Sequence, residues 1–229
     1  MERVIEKLVR VDEPLISSVS KDEFIVATEK AFDCRFDGTS KFYPWKMPEK
    51  LPKKFKIGVI VGSSGSGKST LLKNFGIEEQ PSWDSNKSII SHFESPDDGI
   101  NKLGSVGFNT IPSWYKPYNV LSNGEKFRAD LARKIKSNAV IDEYTSVVDR
   151  TVAKAASIAL SRYIKNNDIE NVVISTCHYD IVDWLEPDWV LNTDTGELIN
   201  GFFLSDQKST LKYTGQVTIV GECLKTIII

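Results

Sequence analysis

The sequence predicts an α/β chain built on a mainly parallel central sheet with helices on both faces. Three observations carry that prediction. The apolar run Ile57-Gly58-Val59-Ile60-Val61 leads directly into the glycine-rich segment Gly62-Ser63-Ser64-Gly65-Ser66-Gly67-Lys68-Ser69-Thr70. The second half of the chain alternates short β-branched runs with stretches of helical apolar period. The polar pairs Asp142-Glu143 and Cys177-His178 fall at the carboxyl ends of two of those runs, where ligands gather in open parallel sheets.

Taken in order, residues 1–56 read as an N-terminal β region, with strands expected at 23–28 and 31–36 and a turn at Asp37-Gly38. Residues 46–56, rich in lysine and proline, read as a solvated connector. After the glycine-rich loop a helix is expected near Lys68, continuing through Leu71-Leu72-Lys73-Asn74-Phe75. Residues 88–93 suggest a short strand, and Ser95-Pro96-Asp97-Asp98-Gly99 a loop. Phe127, Leu131 and Ile135 recur every four residues and mark one apolar helix face. A strand at 139–141 follows, then a helix over 151–165 carrying Val152, Ala155, Ala159 and Tyr163 at helical spacing, then a strand at 172–175. Trp189-Val190-Leu191 and Leu198-Ile199 flank Asp194-Thr195-Gly196 as a hairpin. The whole, residues 1–229, is expected as one domain, with its core at 57–200 and a C-terminal extension at 201–229.

The glycine-rich loop carries the clearest chemistry. Gly62, Gly65 and Gly67 let successive backbone N–H groups turn inward around phosphate oxygens, together with those of Ser63, Ser64, Ser66 and Thr70. Lys68 supplies a point charge for the β- and γ-phosphates, and Ser69 a hydroxyl for Mg²⁺. A nucleoside triphosphate is the expected ligand. Asp142 beside the phosphates suits Mg²⁺ through its water shell, and Glu143 suits the attacking water. Taken alone, that acidic pair is as readily an ordinary strand cap.

Composition narrows the setting. The net charge of −2 gives no general attraction to nucleic acid or anionic membrane. No apolar run approaches the ~18 residues of a membrane span. The opening Met1-Glu2-Arg3-Val4-Ile5-Glu6-Lys7 is too charged for a secretory signal. Cys34, Cys177 and Cys223 are unevenly spaced without a C-x-x-C pair, so a reducing cytoplasm is expected.

Leu121-Ser122-Asn123-Gly124-Glu125-Lys126-Phe127-Arg128 precedes the helix bearing Leu131. Ser122 and Glu125 have capping-box spacing, which any helix start can show. The segment also resembles the signature loop of the ABC ATPase family, L-S-G-G-Q followed by Arg, at Leu121, Ser122, Gly124 and Arg128. Asn123 stands for a glycine, a change compatible with a left-handed backbone, and Glu125 for the glutamine. The later elements keep the family's order: Asp142-Glu143, a D-loop-like Ser146-Val147-Val148-Asp149, and His178 at the switch-histidine position. The resemblance covers residues 57–200.

That resemblance implies a P-loop ATPase hydrolysing Mg-ATP in a head-to-tail homodimer. Glu143 is then the base, with Lys68 and His178 on the γ-phosphate and Ser69 and Asp142 on the metal. Ser122, Asn123 and Gly124 then act on the second protomer's nucleotide, with Asp149 near the same nucleotide-binding interface. Lys68 and Ser122 are only 54 residues apart, which leaves little room for the helical subdomain that docks on membrane subunits and implies a reduced helical subdomain. The run Ile111-Pro112-Ser113-Trp114-Tyr115-Lys116-Pro117-Tyr118, and Cys177-His178-Tyr179-Asp180 with Trp184 and Pro187-Asp188-Trp189, resemble a soluble subgroup known in phages and bacteria, sometimes fused to an acetyltransferase-like domain. Asn109 is the nearest candidate for the family's Q-loop glutamine, and Tyr43 or Trp45 for an adenine-stacking aromatic. The competing readings are a transporter's nucleotide-binding subunit, a small-molecule kinase and a non-hydrolysing interaction module. A nucleic-acid partner rests on association alone, and the protein partner is not specified by these residues.

Overall fold

The elements run, in chain order, β1 (Val4–Lys7), β2 (Leu15–Ser18), α1 (Glu23–Phe32), β3 (Thr39–Phe42), β4 (Ile57–Val61), α2 (Lys68–Leu72), α3 (Pro96–Ser105), α4 (Ile111–Trp114), α5 (Asn123–Lys134), β5 (Val140–Ile141), α6 (Arg150–Asn166), β6 (Val172–Thr176), α7 (Asp180–Leu185), β7 (Trp189–Asn192) and β8 (Glu197–Asn200). They belong to a computed structural model that describes residues 4–201. The expected extension beyond Gly201, with Cys223, lies outside the described residues. These form two compact units, one of residues 4–9 and 45–201 and the other of residues 10–44.

In the larger unit six strands make one sheet in the order β1-β8-β7-β4-β6-β5. β4 pairs in parallel with both β6 and β7, and β6 with β5. The antiparallel β7–β8 hairpin and β1 complete the other edge. The fold is therefore α/β with a mainly parallel sheet. Every residue of β4 and β6 is buried, which in an α/β sheet requires cover on both faces and explains their unbroken apolar runs. Gly58 is glycine for a local reason: a Cβ there would stand 2.0 Å from the Trp189 ring. Trp189 fills that space, stacks on Phe75 at 5.5 Å and meets Phe55 edge-on at 5.2 Å, within a core that includes Ile60, Leu71 and Val173. Among the described residues, no helix is long and apolar enough to cross a membrane.

The helix expected from Phe127, Leu131 and Ile135 is α5, which buries Ala129, Leu131 and Ala132. α6 spans the expected stretch, but its inward face is shifted by one residue. Ala153, Ala156, Ser157, Leu160, Ser161 and Ile164 are buried, whereas Ala155 is exposed. The small serines hid that stripe from an apolar count. They are tolerated inside because Ser157 donates to the Ala153 carbonyl at 2.7 Å and Ser161 to that of Leu185 at 2.6 Å.

Three local expectations are corrected. The strands expected at 23–28 and 31–36 are largely one helix, α1, started by the Asp22 side chain accepting from the Ile25 N–H at 2.9 Å and ended by Asp33 in left-handed backbone. The strand expected at 88–93 is a 3₁₀ turn, Ile89–His92, held by the Ser88 and Ser91 hydroxyls at 2.8 Å and by His92 Nδ1 on the Ser88 carbonyl at 2.8 Å. The loop expected at Ser95-Pro96-Asp97-Asp98-Gly99 is the start of α3. Ser95 caps it by accepting from the Asp98 N–H at 3.1 Å, and Pro96 occupies the first turn, where its missing donor is not needed.

The smaller unit pairs β2 with β3 antiparallel. The Val19 N–H donates to the Gly38 carbonyl at 2.9 Å, consistent with the expected turn at Asp37-Gly38.

Candidate functional site

Three parallel strands deliver their carboxyl ends to one edge of the sheet. β4 ends in the glycine-rich loop, its neighbour β6 ends at Cys177-His178, and β5 beyond it ends at Asp142-Glu143. Val61 is level with Thr176, and Ile141 with Ile174. Neighbouring strands lie about 4.8 Å apart, so the chemistry-bearing ends fall within roughly 10 Å of one another.

The loop is built by close approach and by left-handed backbone. A Cβ on Gly62 would stand 2.0 Å from the Thr193 hydroxyl, and Gly67, at φ 101°, turns the chain into α2. Lys68, only 9% exposed, donates from its ammonium to the Ser63 carbonyl at 2.7 Å. That carbonyl also accepts from the Ser66 hydroxyl at 2.8 Å, and Ser66 contacts the Thr193 hydroxyl at 2.6 Å. Ser64, Gly65 and Ser69 are exposed, and a Cβ on Gly65 would meet nothing within 4 Å. The donor set therefore fits a polyphosphate: a nearly buried ammonium, an open glycine-rich turn and a helix start with Ser69 and Thr70 in its first turn. α2 is short, ending at Leu72. Trp45 is a strut of this loop. Its indole N–H donates to the Ser66 carbonyl at 3.1 Å, and its ring lies where a Cβ on Gly196 would be 3.0 Å away.

Glu143 is turned outward because Tyr144 is turned in. The Tyr144 N–H donates to the Ser175 carbonyl at 2.8 Å, its carbonyl accepts from the Thr176 hydroxyl at 3.0 Å, and its phenol meets the Ser157 hydroxyl at 3.1 Å. Burial pushes that phenol's pKa up, so it stays neutral. Glu143 at φ 48° and Thr145 at φ 67° take left-handed backbone on either side, an uncommon state for such residues that this anchoring maintains. Asp142 is oriented as well: its Oδ1 accepts from the Ser175 hydroxyl and from the Glu143 N–H at 2.9 Å.

His178 sits partly buried, its backbone N–H donating to the Thr176 hydroxyl at 3.1 Å. Burial first, and then the positive Arg150, lower its pKa against the opposing charge of Asp180, favouring the neutral imidazole. Arg150 forms an ion pair with Asp180 and lies over the Trp184 ring at 5.1 Å.

The capping-box reading of Ser122 is realised. It caps α5 with a complete capping box: its N–H and hydroxyl donate to Glu125 Oε2 at 2.9 and 2.8 Å, and its Oγ accepts from the Glu125 N–H at 3.4 Å. The Ser113 hydroxyl and the Ser122 N–H hold the Glu125 pKa at about 2 despite some burial. Asn123 and Gly124 lie in the helix's first turn and neither takes left-handed backbone, so the conformational argument for Asn123 does not apply. Asp149 caps α6, accepting from the Thr151 and Val152 N–H groups at 2.9 and 3.0 Å.

A cleft of about 420 Å³ joins Asn123 and Lys126 of α5 to Asp142, Glu143 and Ser146. Among the described residues, neither Ser122, Gly124 nor the glycine-rich loop lines it. Asn109 is exposed ahead of α4. Sequence reasoning missed Ser175, Tyr179 and Asp194 as parts of the site. Their roles come from strand order, which no local pattern discloses.

No family model and no curated relative matches the chain. Among solved structures it is similar to the dimeric post-hydrolysis state of the ATP-binding cassette MJ0796 bound to ADP and Pi, at 14% identity over 82% of this chain and 94% of that one, with a TM-score of 0.48. It is similar to the dimeric structure of MJ0796, a bacterial ABC transporter cassette, at 15% identity over 82% and 94%, with a TM-score of 0.48. Third is cbiO1 from Clostridium perfringens, part of the ABC transporter complex cbiONQ, at 24% identity over 59% of this chain and 72% of that one, with a TM-score of 0.44. The α/β class itself stands on the sheet order described above.

Proposed function

We propose that this chain is an ABC-type ATPase that hydrolyses Mg-ATP to ADP and phosphate. The observation that most supports this reading is the convergence of the glycine-rich loop, Asp142-Glu143 and His178 at one sheet edge, on β4, β5 and β6. Lys68 and the loop N–H groups hold the β- and γ-phosphates. Ser69 and Asp142 would hold Mg²⁺, which when bound offsets the charge of the β- and γ-oxygens. Glu143 takes a proton from the attacking water as its oxygen bonds to the γ-phosphorus, and ADP leaves. His178, neutral, donates a hydrogen bond to the γ-phosphate.

The reading extends to a second copy. The start of α5, with Ser122, Asn123 and Gly124, offers backbone N–H groups and the positive end of a helix to the γ-phosphate of a partner, with Asp149 near the same junction. Two copies related by a two-fold axis would then enclose two nucleotides. The short span from Lys68 to Ser122 favours a form without a membrane-docking subdomain over a transporter subunit. Glu143→Gln tests the chemistry: phosphate release falls by roughly 10²–10⁴ while fluorescent-nucleotide binding persists. Undiminished release in that variant removes Glu143 from its role.

A further inference from the structure

The turn leaving β7 lies beside the loop leaving β4, because these two strands are parallel neighbours. Asp194 stands on that turn. Its Oδ1 accepts from the Ser63 N–H at 3.0 Å and the Ser63 hydroxyl at 2.8 Å. Its Oδ2 accepts from the same N–H at 2.9 Å and from the Tyr179 hydroxyl at 2.7 Å. Tyr179 directly follows His178. One carboxylate thus ties the opening of the glycine-rich loop to the residue beside the candidate γ-phosphate contact.

The carboxylate is not needed to form its own turn. Asn192 Oδ1 does that, accepting from the Asp194 N–H at 2.9 Å and the Thr195 N–H at 3.1 Å. All four of the Asp194 carboxylate contacts named above go to distant segments. Ser63 is in turn a hub, since its carbonyl receives Lys68 and Ser66. Burial acts to raise the Asp194 pKa, but the Tyr179 hydroxyl, the two Ser63 donors and the Lys68 charge outweigh it and keep the group ionised.

The geometry points to Asp194, acting with Tyr179, as a positioning residue that fixes the glycine-rich loop relative to His178. This rests on the ATPase reading of the site. Phosphates seated in the loop then meet His178 at a set distance, and movement of the loop reaches the His178 turn through this carboxylate as well as through the Gly62 N–H on the Thr176 carbonyl at 3.3 Å. Asp194→Asn cannot reproduce the arrangement, because one amide oxygen replaces two and its NH₂ faces donors. Tyr179→Phe removes one donor and leaves the ring.

The test uses the full chain and two readouts. Hydrogen exchange of the peptide containing Ser63, measured without nucleotide, accelerates about 10-fold in Asp194→Asn, the scale expected for weakening a hydrogen bond to a charged group, and accelerates measurably but less in Tyr179→Phe, where the carboxylate loses its second anchor while keeping Ser63. In ATP hydrolysis, Tyr179→Phe lowers kcat by roughly tenfold with KM nearly unchanged, and the double variant is no worse than Asp194→Asn alone. Wild-type exchange and kcat in Tyr179→Phe, or fully additive losses, overturn the proposal. Should Asp194→Asn not fold, Tyr179→Phe alone decides. A wild-type chain that consumes no ATP contradicts the ATPase reading instead, and the exchange experiment still judges the tether.

Discussion

His178 shows how a residue's surroundings set its chemistry. A partly buried imidazole next to Arg150 resists protonation, so it can donate through one nitrogen without adding a cation to the site. The same depression has a consequence for stability. Between the lowered folded value and the ordinary 6.5, the unfolded chain binds more protons than the folded one, so stability rises with pH through that interval. We expect His178→Gln to flatten this slope in urea unfolding measured across pH 5 to 7, with little change above it. An unaltered slope would assign the dependence to another group. Glu125 behaves in the opposite sense: its capping-box bonds hold it ionised, and that contribution is fully present above the ordinary 4.5 and lost as pH falls toward about 2.

Among the elements, β4 and the helices that carry a strong period were legible because their signals are local. A five-residue apolar strand followed by glycines can hardly be read otherwise, and the 127–131–135 face announces α5. Residues 23–36 misled because Phe24, Ile25 and Val26 favour strands, while the Asp22 cap and the left-handed Asp33 decided for a helix that buries none of its residues. The serine-proline start of α3 resembles a turn for the same reason that it starts a helix: Ser95 satisfies a free N–H and Pro96 lacks one. Asp142 and Glu143 stand after β5, where the sequence places them, whereas Ser175 and Asp194 act across strands and leave no trace in sequence spacing. The tightest element contact makes its own prediction. Gly58→Ala drives a Cβ into the Trp189 ring of β7 and should cost roughly 1–3 kcal/mol or more in denaturant unfolding, since the packed core cannot yield. Wild-type stability in this variant would mean that Trp189 has room to move.

For the whole molecule, the sheet order gathers the glycine-rich loop, Asp142-Glu143 and His178 at one end of the sheet, which under the proposed ATPase reading is one half of a nucleotide site, with the start of α5 serving the other. Ser122 meets its own Glu125, and the cleft beside Asp142 reaches Asn123 but not the glycine-rich loop. On the proposed reading, a second copy of the chain would supply the further contacts to a γ-phosphate held at Lys68. Closure of two copies over ATP, and release once ADP remains, would turn hydrolysis into a change of assembly. Light scattering on Glu143→Gln, with and without Mg-ATP, tests this most directly. A mass of one copy is expected without nucleotide and of two with it, with a return to one copy when Ser122→Arg is added. A single-copy mass at every ATP concentration, alongside a wild-type chain that hydrolyses ATP as one copy, would contradict it.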